Sequence, residues 1–210
     1  MVGETQMSTA KREILKRVRE AIGEQAVSAS PPEREYRQSG VVDFDDFIEK
    51  LIDYNAAVYR CAPGGIAATV AQAMEVRGRR TLLIPPAFPT EWLPAGFDFI
   101  RDEGFSYHDI DRSEGALTAC TAAIAMTGTI ILSHSAFEGR RALTLIPDYH
   151  LCIVHADQVV QTVPEGIRRL RDLRTRPITT ISGPSATADI EMTRIKGVHG
   201  PRTLDVILVQ

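Results

Sequence analysis

The stretch Ala116 to Ser135, ALTACTAAIAMTGTIILSHS, holds no acidic residue and offers no polar helix face. A segment of this kind has no side to turn toward water. It reads as two buried strands broken at Thr127-Gly128-Thr129, and strands buried on both faces belong to a covered sheet, not to an open one.

The rest of the chain supplies the cover. DFDDFIEKLIDYN is an amphipathic helix led by Asp43, Asp45 and Asp46, which suit the positive end of a helix dipole. AAVYRC is a short strand, GGIAATVAQAMEVRG a small-residue helix closed by Gly78, and RRTLLI a strand stopped by Pro85-Pro86. This alternation predicts parallel strands with right-handed crossovers. PTEWLPAG reads as a helical turn and FDFIRD as a further strand. Strands are expected at ALTLI, at YHLCIVHADQVV and at PITTIS. PEGIRRLRDLR is a helix with Pro164 in its first turn and Ile167, Leu170 and Leu173 on one face. GPSATADIEMTRI opens a turn or short helix, and Thr203 to Val209 is a closing strand. The predicted fold is one three-layer α/β domain with a mostly parallel sheet over residues 41–210. Before it, residues 9–26 read as a helix with Ile14, Val18 and Ile22 every fourth residue, followed by a Pro- and Ser-rich linker, so residues 1–40 form an appendage.

Net charge is −3 and the Lys and Arg residues are dispersed, which advertises no nucleic acid. No apolar run reaches the roughly 18 residues of a membrane span, and no signal core follows the N-terminal charges. Cys61, Cys120 and Cys152 stand far apart in apolar surroundings, without C-x-x-C or zinc-ligand spacing. They read as small buried side chains in a reducing cytoplasm, with no iron–sulfur cluster held by this chain alone. The P-loop, G-x-G-x-x-G, G-x-S-x-G and H-E-x-x-H motifs are all missing, and no cofactor or metal is expected.

Four stretches carry candidate chemistry. In AMTGTIIL, Thr127, Gly128 and Thr129 offer backbone N–H groups and two hydroxyls, either as an anion nest or as a simple bend. In ISGPSATADIE, Gly183 and Pro184 turn the chain and Ser185 stands where a helix N-cap belongs, beyond a strand's carboxyl end. Ser182, Gly183, Ser185 and Thr187 are candidate anion ligands there. Asp189 and Glu191 are either general acid/base groups or complements to the helix dipole. In EGRRALTLIPD, at most one of Arg140 and Arg141 reaches a given pocket, where it clamps a carboxylate or phosphate, the alternative being a surface ion pair with Glu138 or Asp148. In GVHGPRTL, Gly197 and Gly200 bracket His199 on a stiff loop, a displayed titratable ring or a structural turn.

In this order AIAMTGTIIL, GRRALTLIPDYHLCIV, DQVVQTVPEGIRRL, ISGPSATADIE and GVHGPRTLDVILV resemble the lactate utilization protein C family, the LUD-domain proteins. The resemblance runs from about Val41 to Val209. It implies a fold similar to glucosamine-phosphate deaminases, ribose-phosphate isomerases and CoA transferases. It also implies a role in oxidising L-lactate to pyruvate beside iron–sulfur subunits, with this chain as the accessory member. The ligand residues it carries over are Thr127, Gly128, Thr129, Arg141, Ser182, Gly183, Ser185, Thr187 and His199, for a small carboxylate or phosphate, with Asp189 and then Glu191 as proton carriers. Members usually read A-E-T-G-T where this chain has Met126, and a thioether can neither attack nor carry a proton. SHSAFEGRR also departs from a more glycine-rich turn, so His134 and Phe137 are expected to narrow the pocket mouth. The alternative from the fold likeness is an independent enzyme acting on a phosphosugar or acyl-CoA.

Overall fold

The computed structural model describes residues 9–22, 35–173, 175–188, 194–196 and 200–210. They fall into two units, Met1–Tyr36 and Arg37–Gln210. In the first, helix α1 (Thr9–Ile22) presents Ile14, Val18 and Ile22 in the expected row, all exposed. The expected continuation to Ala26 lies outside the described residues.

The second unit runs α2 (Phe44–Asp53), β1 (Ala57–Cys61), α3 (Ile66–Val76), β2 (Thr81–Ile84), β3 (Asp98–Arg101), α4 (Tyr107–Asp111) and β4 (Ala116–Thr118). It continues with β5 (Ala122–Ile124), β6 (Thr129–Leu132), α5 (Arg141–Leu145), β7 (Tyr149–His155), β8 (Val159–Val160) and α6 (Val163–Arg169). It closes with β9 (Thr179–Ile181), β10 (Ala186–Ala188), β11 (Arg194–Lys196) and β12 (Thr203–Val209). Local chemistry sets several boundaries. The Asp43 carboxylate accepts from the N–H groups of Asp45 and Asp46 and caps α2. Thr162 and Glu165 form a reciprocal capping box at α6, with Pro164 in the first turn. Gly78, at φ +62°, ends the turn after α3.

Six strands form one sheet in the order β1-β12-β7-β4-β2-β3, every pair parallel. Four more form a second, mixed sheet, β8-β5-β6-β9, and β10 pairs with β11 as an antiparallel ribbon. The second sheet is where the structure departs from the single sheet expected. The stretch 116–135 gives three strands, not two: β4 joins the parallel sheet, while β5 and β6 fold back as a pair. Two local expectations also fail. ALTLI is not a strand but lies in helix α5, and Ser185 caps no helix, because Ala186 to Ala188 is extended and paired with Arg194 to Lys196. Ile167 is exposed on α6, whose buried residue is Gly166, set against Ile124.

Strict alternation along the central strands divides the core. Cys152, Val154, Leu204, Val206 and Leu208 pack with Phe47 and Leu51 of α2 and with Ala123, Ile130 and Leu132 of the second sheet. Tyr149, Leu151, Ile153, Ile207 and Val209 pack with Ile66, Val70, Ala73 and Met74 of α3. Helix covers one face, and helix plus second sheet covers the other. Into the α3 side β12 also inserts Asp205, fully buried. Its carboxylate accepts from Arg77 Nε at 2.9 Å and Nη2 at 2.6 Å, and from the Tyr149 hydroxyl at 3.1 Å. Burial and this carboxylate push the Tyr149 phenol well above its ordinary range.

The Arg77 side chain is one-third exposed and Asp205 is not. Arg77→Ala strands a buried charge and is expected to cost about 3 kcal/mol. Asp205→Asn leaves an arginine that reaches water and is expected to cost less. Urea unfolding of the two variants checks the order.

Candidate functional site

Strand β9 ends at Ile181, and the loop Ser182 to Ser185 carries the chain back across the starts of β7 and β12. Here a cleft of about 250 Å³ opens, lined by Thr144 and Leu145 of α5, His150, Thr179 to Ser185, Gly200, Pro201 and Leu204. Its place is the amino end of β7 and β12, beside the carboxyl end of β9. The carboxyl-end location read from the sequence holds for β9 alone, because β9 belongs to the second sheet.

Two of the sequence stretches meet through side chains. The Thr129 hydroxyl lies 2.8 Å from that of Thr127 and 2.8 Å from that of Ser182, a row of three hydroxyls ending at the cleft. Each O–H donates once, so a ligand accepting from Ser182 turns the whole row toward itself. Two glycines allow this approach by letting α2 come close. A Cβ on Gly128 would stand 2.7 Å from the Lys50 Cβ, and one on Gly183 would stand 2.5 Å from the Tyr54 Cβ. Both have positive φ, +57° and +99°. The two glycines of the proposed anion loops are thus also the seats of a helix. The third stretch joins through backbone: Ser185 N–H donates to Pro201 O at 2.8 Å.

Thr127, Gly128, Thr129, Ser182, Gly183 and Ser185 therefore gather at one end of the second sheet. Thr187 is placed only by backbone, in β10. Asp189, Glu191 and His199 lie outside the described residues. Arg141 opens α5, is exposed, and does not line the cleft. Its neighbour Arg140 pairs with neither Glu138 nor Asp148. It grips Asp102 with Nε at 2.7 Å and Nη2 at 2.9 Å. Burial works to raise the Asp102 pKa, but Arg140 and the Gly104 and Phe105 N–H groups outweigh it and hold the carboxyl below its ordinary value. Glu138 is buried and accepts from the Thr121 and Ser133 hydroxyls and from the Ser133 and Ser135 N–H groups, which folds the turn before α5.

His134 is hydrogen-bonded to Thr179 of the cleft lining but is not itself part of that lining. Its Nδ1 lies 3.1 Å from Gly139 O and its Nε2 2.9 Å from the Thr179 hydroxyl. A carbonyl only accepts, so Nδ1 carries the proton and Nε2 accepts from Thr179. Phe137 is half exposed and lines nothing there. His150, which no motif singles out, is 1% exposed and forms part of the cleft lining. Burial lowers its pKa to about 4, so it is neutral near pH 7. Its position in a strand gives no sequence signal, because its hydrogen-bond partner, Thr118, is on another strand. Cys120 and Cys152 are buried, and the hydrogen bond with Cys152 together with burial pushes the Cys120 thiol up, away from reactivity. Among the described residues no cluster of His, Cys, Asp and Glu is arranged to hold a metal ion, and no helix is long and apolar enough to cross a membrane.

Comparison with known proteins fits this geometry to a family. The LUD domain matches residues 98–209, which include the cleft, both loops and the central strand. Lactate utilization protein C of Deinococcus radiodurans is 42% identical over 204 residues, covering 95% of each chain. The chain belongs to the lactate utilization protein C family. A second lactate utilization protein C, from an Exiguobacterium species, is 28% identical over 229 residues, covering 96% of each chain. A crystal structure of a DUF162 family protein from Deinococcus radiodurans superposes with a TM-score of 0.69 at 40% identity, covering 80% of this chain and 96% of that one.

Two outcomes follow for this lactate utilization protein C relative. Gly183→Ala forces a Cβ into Tyr54 at a positive φ and is expected to destabilise by about 1–3 kcal/mol, read by urea unfolding. His150 gives a pH signature. Its folded pKa lies below the ordinary 6.5, so the unfolded chain binds the proton first, and stability is lost as pH falls from about 6.5 to about 4. The loss from this group is on the order of 3 kcal/mol. Unfolding titrations of wild type and His150→Gln are expected to differ in slope across that window.

Proposed function

We propose that this chain is an accessory subunit of a cytoplasmic system that oxidises L-lactate to pyruvate. In this reading iron–sulfur partner subunits carry the electrons, and this chain holds a small anion, a carboxylate or phosphate, in its cleft. The names of the relatives point to lactate utilization. The observation that carries the site is the row Thr127–Thr129–Ser182, which ties a second stretch of sequence by hydrogen bonds to Ser182 of the cleft lining. Hydroxyls that reorient toward an acceptor suit a small anion without needing a cation beside it. The reading assigns Gly128, Gly183, Ser185, Thr187, Arg141 and His199 to the same ligand, and Asp189, then Glu191, to proton transfer. It takes the fold as the three-layer kind shared with glucosamine-phosphate deaminases, ribose-phosphate isomerases and CoA transferases.

Met126 supports an accessory role over covalent group transfer. The family resemblance implies a glutamate at this position, and the half-exposed thioether that stands here is no nucleophile for that chemistry.

Affinity capture with the full chain from cells grown on L-lactate is expected to recover iron–sulfur subunits. The purified chain is expected to show no lactate dehydrogenase activity with artificial electron acceptors. Full lactate turnover by the isolated chain would overturn the reading.

A further inference from the structure

The apolar row of α1 is open among the described residues: Ile14 is 61% exposed, Val18 46% and Ile22 62%. None of the 14 residues of the helix is buried. A helix of this length is marginal in water on its own, because helices in proteins are held mostly by the packing of an apolar face. What holds α1 is therefore whatever that face meets.

The charges narrow what that is. Lys11, Arg12, Lys16, Arg17 and Arg19 stand against only Glu13 and Glu20. Both carboxylates are engaged within the helix, Glu13 with Arg17 at 3.3 Å and Glu20 with Lys16 at 3.8 Å. The first turn holds Lys11 and Arg12 and no acid. Cations there face the positive end of the helix dipole, which costs stability in water. A negative surface beside the helix offsets that cost.

Their placement gives the shape of the surface. At 3.6 residues per turn, Ile14, Val18 and Ile22 fall within an arc of about 80°. Arg12 and Arg19 stand roughly 100–120° round from Val18 on one flank, and Arg17 about 100° round on the other. Lys11 lies on the apolar side, one turn before Ile14, where its stem can follow apolar surface while its ammonium reaches a charged layer. Glu13 and Glu20 are on the far side, roughly 140–160° from Val18. Cations thus border the apolar row on both flanks, and the acids are turned away from it. A groove with one acidic wall would use one flank. A flat surface of diffuse negative charge uses both, and needs no aromatic anchor in the row.

We propose that α1 lies on an anionic lipid surface, with Ile14, Val18 and Ile22 at the boundary of headgroups and acyl chains and Lys11, Arg12, Arg17 and Arg19 at the level of the phosphates. The contact is peripheral, since α1 is not long and apolar enough to cross a bilayer. It concerns the first unit alone and is independent of what the cleft holds.

The test uses the full chain, sedimented with vesicles of phosphatidylcholine alone or of phosphatidylcholine with an equal amount of phosphatidylglycerol. Binding to the anionic vesicles is expected to be about tenfold or more tighter, and to fall by a similar factor as salt rises from about 0.05 M to about 0.5 M. Val18→Asp is expected to weaken it about tenfold, and Arg12→Glu combined with Arg19→Glu about twentyfold or more. These side chains are exposed, and the emission of Trp92 in the second unit reports that each variant is folded. Equal binding to both kinds of vesicle, binding that survives the variants, or no binding at all would overturn the proposal. If wild type binds no vesicle but the same variants abolish capture of an acidic protein, the face belongs to a protein partner, and the lipid surface is overturned.

Discussion

Strand β12 is hydrogen-bonded along both edges, to β1 over five residue pairs and to β7 over seven. Without it the parallel sheet separates β1 from everything that follows. Parallel partners give no short turn to hold them in register, so both faces of β12 must be specified by packing. They are. Leu204, Val206 and Leu208 fill one core, and Ile207 and Val209 fill the other. The same strand carries Asp205, whose pairing with Arg77 and Tyr149 tolerates no slip by one residue. Its lead-in, Gly200 and Pro201, forms a wall of the cleft. Register in the sheet and shape at the site are therefore one constraint.

The chemistry of the cleft rests on hydroxyl and imidazole groups whose polarity is set by neighbours. Three charged side chains of this region are engaged elsewhere: Arg140 with Asp102, Arg202 with Asp148, Glu138 in its own turn. Those pairs shape the backbone around the cleft and leave its described lining uncharged.

Most of the parallel sheet was legible in the sequence, because its signals are local. Asp43 ahead of an apolar period, Gly78 after one, and Pro85-Pro86 at the end of RRTLLI each act within a few residues. The second sheet was not. Its strands β5, β8 and β9 are two or three residues long, and their pairing depends on partners far along the chain. ALTLI was misread for a related reason: five apolar-rich residues fit a strand or a helix turn equally well, and only the Gly139 turn and Leu143 packing choose the helix. TGT and SGPS announced themselves through glycine and hydroxyl content. His150 could not, because what distinguishes it is burial beside Thr118, a property of the register between β4 and β7.

The close seating of Gly128 on Lys50 and of Gly183 on Tyr54 has a mechanical consequence. Both loops bear on the last turns of one helix, so α2 acts as their shared fulcrum. The same helix packs Phe47 and Leu51 onto Val154, Val206 and Leu208 of the parallel sheet. The backbone paths of both loops are thus tied to the seat of one helix on the sheet, some way along the chain from either of them.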